Sequence, residues 1–506
     1  MSLPDIMINK PLPTISNMEI DTEVLDPISS SNQEVVFQIP KNGVLDGGSF
    51  VSLAVRIPTD ANIISNTGRS NAFLPLETGI YGLIRSAQLT IGSKVIASNE
   101  DFGHYATMMR KFETPEHRAY VEQVKAGNSV DRYGGLVGST TGRGRVCPKD
   151  LQVVIDATDG TGELETPLFI RPTDNDATTP VFSVPLSFLI PMMRSRQLPV
   201  FALKETCYLR IQFNTQTHGT TAGNTYGNIC CFGNMTAGAG IPANVNVVPS
   251  LPNIKFYSDH LYYPENVMNE TIAQMASEKG MNMVYEDLVL TNTQIQAGAN
   301  PTAPNSVTTS VERQVAVSGK VVRNLMIQQK RVGHRHSLLG QYLSYTTTLN
   351  DDYNFRINDN RYYDRNLENP CMKYNELAKV RSKPLQVPPQ MYSANNDSNK
   401  QRTDGRADGN SVFTGLINKI QLPNNSNTPA SFSTNGLQRT SHYIGVDLTT
   451  TGFNVLGNGK KIGVKPIILQ YNKKGVNNDA VATEMRIYAN VERVLMFKDG
   501  NVIVSA

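Results

Sequence analysis

Apolar and polar residues alternate with a period of two in many short runs, and the last run is the clearest. From Arg486 onward, Ile487, Ala489 and Val491, then Val494 and Met496, stand at alternating positions; the chain turns at Asp499-Gly500 and continues apolar through Val502 and Val504. Strict alternation is the period of a half-buried strand. Asp-Gly between two such runs is a hairpin signal, because both central residues of a type I′ turn need positive φ. This segment predicts two closing strands of a sheet.

The same pattern recurs upstream. Val35–Ile39 reads as a strand, and Val51, Leu53, Val55 and Ile57 alternate with polar or small neighbours. Gln88–Ala97 reads as a hairpin with Gly92-Ser93 in a type II′ turn, followed by a helix over Glu100–Phe112. Cys207, Leu209, Ile211 and Phe213 alternate with Tyr208, Arg210 and Gln212, which makes 184–213 the best core segment of the first half. Ile254–Tyr257 opens a strand; Pro264 starts a helix with Met268, Ile272 and Met275 on one face and Gly280 as its stop. Strands are predicted at Met281–Thr293, Val315–Val317, Val321–Gln328, Asn354–Ile357, Thr414–Leu422, Tyr443–Leu448 and Ile467–Tyr471. Residues 126–180, 214–252, 294–310 and 385–411 are rich in Gly, Asn, Thr, Asp and Pro and read as loops. Many short strands, few helices and long loops predict an all-β protein of two sandwiches.

Residues 1–30 carry Pro4, Pro11, Pro13 and Pro27 and no periodicity; Lys10 stands against Asp5, Glu19, Asp21, Glu23 and Asp26. They read as an acidic extended arm that adds little to either core. The expected organisation is therefore arm 1–30, first sandwich 31–282 and second sandwich 283–506.

Composition narrows the function. A length of 506 residues exceeds a single core. Charged residues make up only 18% and the net charge is +3, which argues against a dedicated nucleic-acid binder and suggests a surface covered by neighbours. Five cysteines without C-x-x-C spacing do not form a disulfide scaffold, and no signal peptide or membrane span is read. An intracellular folding compartment is expected.

Candidate chemistry fails by spacing. Gly135–Arg145 is Gly-rich but lacks the Gly-Lys-[Ser/Thr] of a phosphate loop. Asp351, Asp352 and Asp359 lack the glycine and glutamate of a calcium loop and read as a turn with solvated carboxylates. His334 and His336 could share one strand face, but no third ligand has matching spacing, so they read as an exposed basic loop. His104, His117, His218, His260 and His442 are scattered. The expectation is no catalytic residue, no cofactor site and no metal site.

Several strings together resemble one family. Leu83–Ile96 is similar to a hairpin of the double jelly-roll major capsid proteins of icosahedral double-stranded DNA viruses, with Ser93 where that family has a second glycine. Val184–Ile190 followed by Leu198–Gln212 resembles the family's "I-P-L-x-F … L-P-L-i-A-L" segment, without its tryptophan. Phe256–Thr293 looks like the strand, helix and strand that close the first jelly roll, Val321–Gln328 like an early strand of the second, and Ile487–Leu495 like the final strand. The matches run in the family's order, and the eukaryotic branch (nucleocytoplasmic large DNA viruses, virophages, polinton-like viruses) is the nearest in kind.

The resemblance implies an all-β double jelly roll and a non-enzymatic major capsid protein. Its expected partners are two further copies in a pseudo-hexagonal homotrimer, neighbouring capsomers, minor capsid and penton proteins, and an internal membrane where one is present, with no specific nucleic-acid binding. Its expected location is the virion, after assembly inside the host cell. The rival readings are a carbohydrate-binding β-sandwich, which would need aromatic platforms and a carboxylate pair, and a minor capsid or fibre protein.

Overall fold

The structure is a computed structural model. It describes residues 18–31, 33–54, 79–110, 181–194, 196–213, 254–296, 307–331, 352–368, 370–380, 444–449, 459–474 and 483–505, with short strand pieces at 144–145, 154–156, 163–165, 219–221 and 224–226. The predicted strand Thr414–Leu422 and nearly all of the predicted loops 126–180, 214–252 and 385–411 lie outside these residues.

The first half contributes β1 (Glu19–Leu25), β2 (Glu34–Ile39), β3 (Phe50–Ala54), β4 (Ile84–Ile91), β5 (Lys94–Glu100), β6 (Val181–Pro185), β7 (Cys207–Phe213) and β8 (Ile254–Tyr262). Two antiparallel sheets result, in the orders β1-β8-β3-β6 and β2-β7-β4-β5, with Ser29–Ser30 flanking β2 and Val44–Leu45 pairing β8. The second half contributes β9 (Met281–Ile295), β10 (Val307–Val315), β11 (Val321–Arg331), β12 (Asp352–Ile357), β13 (Ile444–Asp447), β14 (Ile467–Lys474), β15 (Thr483–Lys498) and β16 (Asn501–Ser505). Its sheets run β9-β15-β11-β13, with β16 on β15, and β10-β14-β12. Helices α1 (Phe102–Arg110), α2 (Glu265–Ala276) and α3 (Pro370–Val380) decorate the strands.

Alternation fixes which residues go inside. In β7, Cys207, Leu209, Ile211 and Phe213 are buried, and Arg210 is exposed beside Glu34 at 2.8 Å. Together with Phe37 on the neighbouring strand, these side chains face Val51 and Phe256 of the other sheet, and the Phe37 and Phe256 rings lie 5.7 Å apart. A second core gathers Leu325, Ile327, Phe355, Leu469, Ile487, Ala489 and Val491.

The predicted hairpins have the expected turns. Asp499 and Gly500 both take positive φ, +52° and +73°. At the β4–β5 turn Gly92 has φ +58°, as the first position of a type II′ turn requires. Asn358 and Asp359, with φ +51° and +69°, form a tight turn between β12 and Asn360–Arg361.

Four expectations change. The unpatterned arm does not extend to residue 30: all of β1 pairs with β8, from Glu19 opposite Tyr262 to Leu25 opposite Phe256. Its polar side chains hid it, because an edge strand with both faces largely in solvent has no buried stripe to reveal it. The strand from Met281, grouped with the first sandwich by resemblance, instead pairs along its whole length with β15, so the second set of sheets begins at Met281, two residues before the expected boundary at 283. In β15 the buried side chains past Val491 are Leu495 and Phe497 rather than Val494 and Met496; Arg493 occupies the inward position between them and masks the phase. On α2 only Met275 of the predicted apolar face is buried, while Ile272 is 46% exposed.

Candidate functional site

Among the described residues the candidate motifs do not assemble into a catalytic site. Asp352 is buried and accepts hydrogen bonds from Asn366 Nδ2 at 2.8 Å and Asn472 Nδ2 at 2.6 Å, so it serves the sheet. Asp359 pairs with Lys465 at its turn. Asp351, His334, His336, His117, His218, His442 and residues 135–143 lie outside the described residues. Among the described residues no three His, Cys, Asp or Glu side chains come together to hold a metal ion. Cys207 is buried, and burial pushes its thiol up to about 12, far from a reactive thiolate.

The most concentrated polar chemistry lies in the seam between the two sandwiches. The sheet of β9, β15 and β11 is covered on both sides. One side faces its own core; the other presents Tyr488 and Met326 to the cluster that contains Tyr105 and Leu89. At the centre is Arg486, fully buried, whose Nε meets Asp101 Oδ2 at 2.5 Å and whose Nη2 lies 3.2 Å from Glu484. Asp101 ends β5 and starts α1 in a left-handed conformation, φ +54°, which Asp adopts more readily than most residues. That turn aims its carboxylate at β15. Its other oxygen lies 2.7 Å from His104 Nδ1; a carboxylate only accepts, so the imidazole donates.

Burial alone would raise Asp101, but His104 and Arg486 overcome it and hold the carboxyl well below the usual carboxylate range. Asp287, on β9, behaves in the opposite way: burial raises it, against the opposing pull of Arg493 at 3.1 Å. Burial and the Asp287 charge push the Tyr285 phenol up to about 12.

Backbone contacts complete the seam. β5 slips by one residue against β4, so that Thr90 pairs with Val95 and Leu89 with Ala97. The bulge leaves Ile96 O free of the ladder, and Tyr285 Oη donates to it at 2.6 Å. Ser98 N donates to Asp287 Oδ1 at 3.3 Å, Lys94 Nζ to Val502 O at 2.7 Å, and Lys204 N to Gly500 O at 2.9 Å. The two sandwiches are thus joined by aromatic packing, a buried ion cluster and hydrogen bonds from several elements.

No protein-family model matches the chain, and no curated protein does. Solved structures do. The Faustovirus major capsid protein aligns over 97% of this chain and 92% of its own at 9% identity, with a TM-score of 0.54. VP54 of PBCV-1, fitted into a reconstruction of the virophage Sputnik, aligns over 97% of each chain at 11% identity, with a TM-score of 0.51. A chain of the PBCV-1 virus capsid aligns over 97% of each chain at 12% identity, with a TM-score of 0.50. The chain has the double jelly-roll fold. The alignments extend over both jelly rolls.

Sequence reasoning missed the seam. Asp101 and Arg486 lie 385 residues apart, and Arg486 reads as the polar member of an alternating strand. The available signal was local: Arg486 and Glu484 lie two apart on one side of a strand, which makes that side either solvent-facing or paired. Helix α3 was missed too. It packs Leu377 and Val380 against β13 and lies between two stretches without periodicity.

Proposed function

We propose that this protein is a major capsid protein: the shell subunit of an icosahedral double-stranded DNA virus, acting by assembly and not by turnover. The observation that carries the reading is the alignment of both jelly rolls, over nearly the full length of each chain, with the Faustovirus major capsid protein and a chain of the PBCV-1 virus capsid. The rigid seam supports it. A shell tile needs two sandwiches held at one fixed angle, and a buried ion pair with hydrogen bonds fixes orientation more sharply than apolar packing alone.

Three copies then place six sandwiches around one axis and give a capsomer of hexagonal outline. In this reading the two tile units are the β1–β8 sandwich and the β9–β16 sandwich. The homotrimer contacts neighbouring capsomers and minor capsid and penton proteins, and its location is the virion. Native mass spectrometry of the purified protein tests the proposal: the expected species is a trimer stable on dilution, whereas a monomer at all concentrations overturns it.

A further inference from the structure

A groove of about 540 Å³ opens beside the seam, between α2, the segment Arg196–Phe201 and the first residues of β9. Its walls are apolar and aromatic: Phe201, Tyr263, Val267, Met268, Met283 and Val284. Val284 is 47% exposed. Polar groups stand at one side, where Tyr263 Oη donates to Gln197 Oε1 at 3.0 Å and Arg196 Nε donates to Val284 O at 2.7 Å. These bonds hold the wall in place without filling the groove.

The chain itself leads to this groove. β1 runs antiparallel to β8, with Glu19 opposite Tyr262. The next residue after Tyr262 is Tyr263, a groove wall, and α2 begins at Glu265. By that register the exit of β1 at Met18 lies beside Tyr263, at the mouth of the groove. Met18 and Ile20, at that exit, are 45% and 64% exposed. Upstream lie Ile8, Pro11, Leu12, Pro13 and Ile15. Leu12 is six residues before Met18, a reach of about 20 Å in extended chain. Pro-rich segments favour an extended conformation without internal hydrogen bonds, lose little entropy on docking, and suit aromatic-lined grooves. A tether this short raises the local concentration into the millimolar range.

We infer that the groove is the seat of this chain's own N-terminal segment, with Pro11-Leu12-Pro13 against Tyr263, Met268 and Val284. Docking there covers the open side of α2 and ties the start of the chain across the junction of the two jelly rolls. The inference does not rest on the shell reading: a groove that stays empty leaves the trimer prediction intact, and a monomer leaves the groove prediction intact.

Two measurements test it. In the full chain, a photo-crosslinking residue at position 12 should join the same chain within residues 263–271 or 281–284, as read by peptide mass mapping. A fluorescein-labelled peptide of residues 1–17 should bind saturably to the chain lacking those residues, and Met268→Glu should weaken it by about tenfold or more, because a carboxylate does not enter an apolar wall unpaired. Crosslinks elsewhere in the chain overturn the inference. Crosslinks between chains also overturn it and assign the groove to a neighbouring copy. If the shortened chain does not fold, the crosslink map of the full chain decides alone.

Discussion

Leu209 and Arg210 are neighbours in β7 that point to opposite sides of the sheet. Leu209 is fully buried between Phe37 and Leu89 on the paired strands, whereas Arg210 meets Glu34 at the surface. Leu209→Asp should cost several kcal/mol, comparable to a domain's whole stability margin, and leave no soluble protein; Arg210→Asp should fold. Soluble yield and circular dichroism check both. Arg486 is the harder residue. Replacing it by Met leaves Asp101 and Glu484 without their shared cation and should cost about 3–5 kcal/mol, and Asp101→Asn with Arg486→Met should recover part of the loss. The pH dependence has a definite sign. A carboxyl held below its ordinary 3.8 when folded contributes stability fully above that value, lost as pH falls through the folded pKa. Asp101→Asn should therefore flatten the fall in thermal midpoint below about pH 4. Asp287, raised by burial, acts oppositely: its contribution is present at low pH and lost as pH rises through its folded value. Leu209 was legible in the sequence because alternation reports one buried face. Arg486 was not, because both faces of its strand are covered and alternation cannot report the second.

At the scale of elements, local chemistry and distant cover divide what could be read. The β15–β16 and β4–β5 hairpins were legible because Asp499-Gly500 and Gly92 carry turn conformations in their own residue types. Gly500 also sits where an added Cβ would come within 2.8 Å of Lys204 Cγ, so Gly500→Val should destabilise by about 1–3 kcal/mol through a strained φ, measured by urea unfolding. β1 was illegible because its sequence, EIDTEVL, has no buried stripe; its stability comes from the backbone ladder with β8. Truncation separates the arm from the strand. Removing residues 1–17 should lower the thermal midpoint only by what docking in the groove contributes, whereas starting at Ser31 also strips β1 and opens the β8 edge to aggregation. Equal behaviour of the two truncations would show that β1 adds nothing to the sheet. The strand from Met281 was read two ways, with the first jelly roll by resemblance and, from residue 283, with the second by the expected boundary, since its alternation fits either sandwich and only its pairing with β15 decides.

For the whole molecule, the seam joins the two sandwiches. Its parts come from β4, β5, α1, β9, β15 and β16, so no stretch of sequence contains it. The double jelly roll could be expected from the order of short strings along the chain, because strand order is preserved where residues are not, at 9–12% identity. That order says nothing of how the jelly rolls face each other; the buried Asp101–Arg486 pair and the Ile96 bulge do. In the proposed function three such chains close into one capsomer. Single-particle cryo-EM of the purified protein tests it most directly. The expected class averages show a closed trimer with six sandwich-sized densities in a near-hexagonal ring. Averages of isolated two-lobed particles, or of open chains of them, would contradict it.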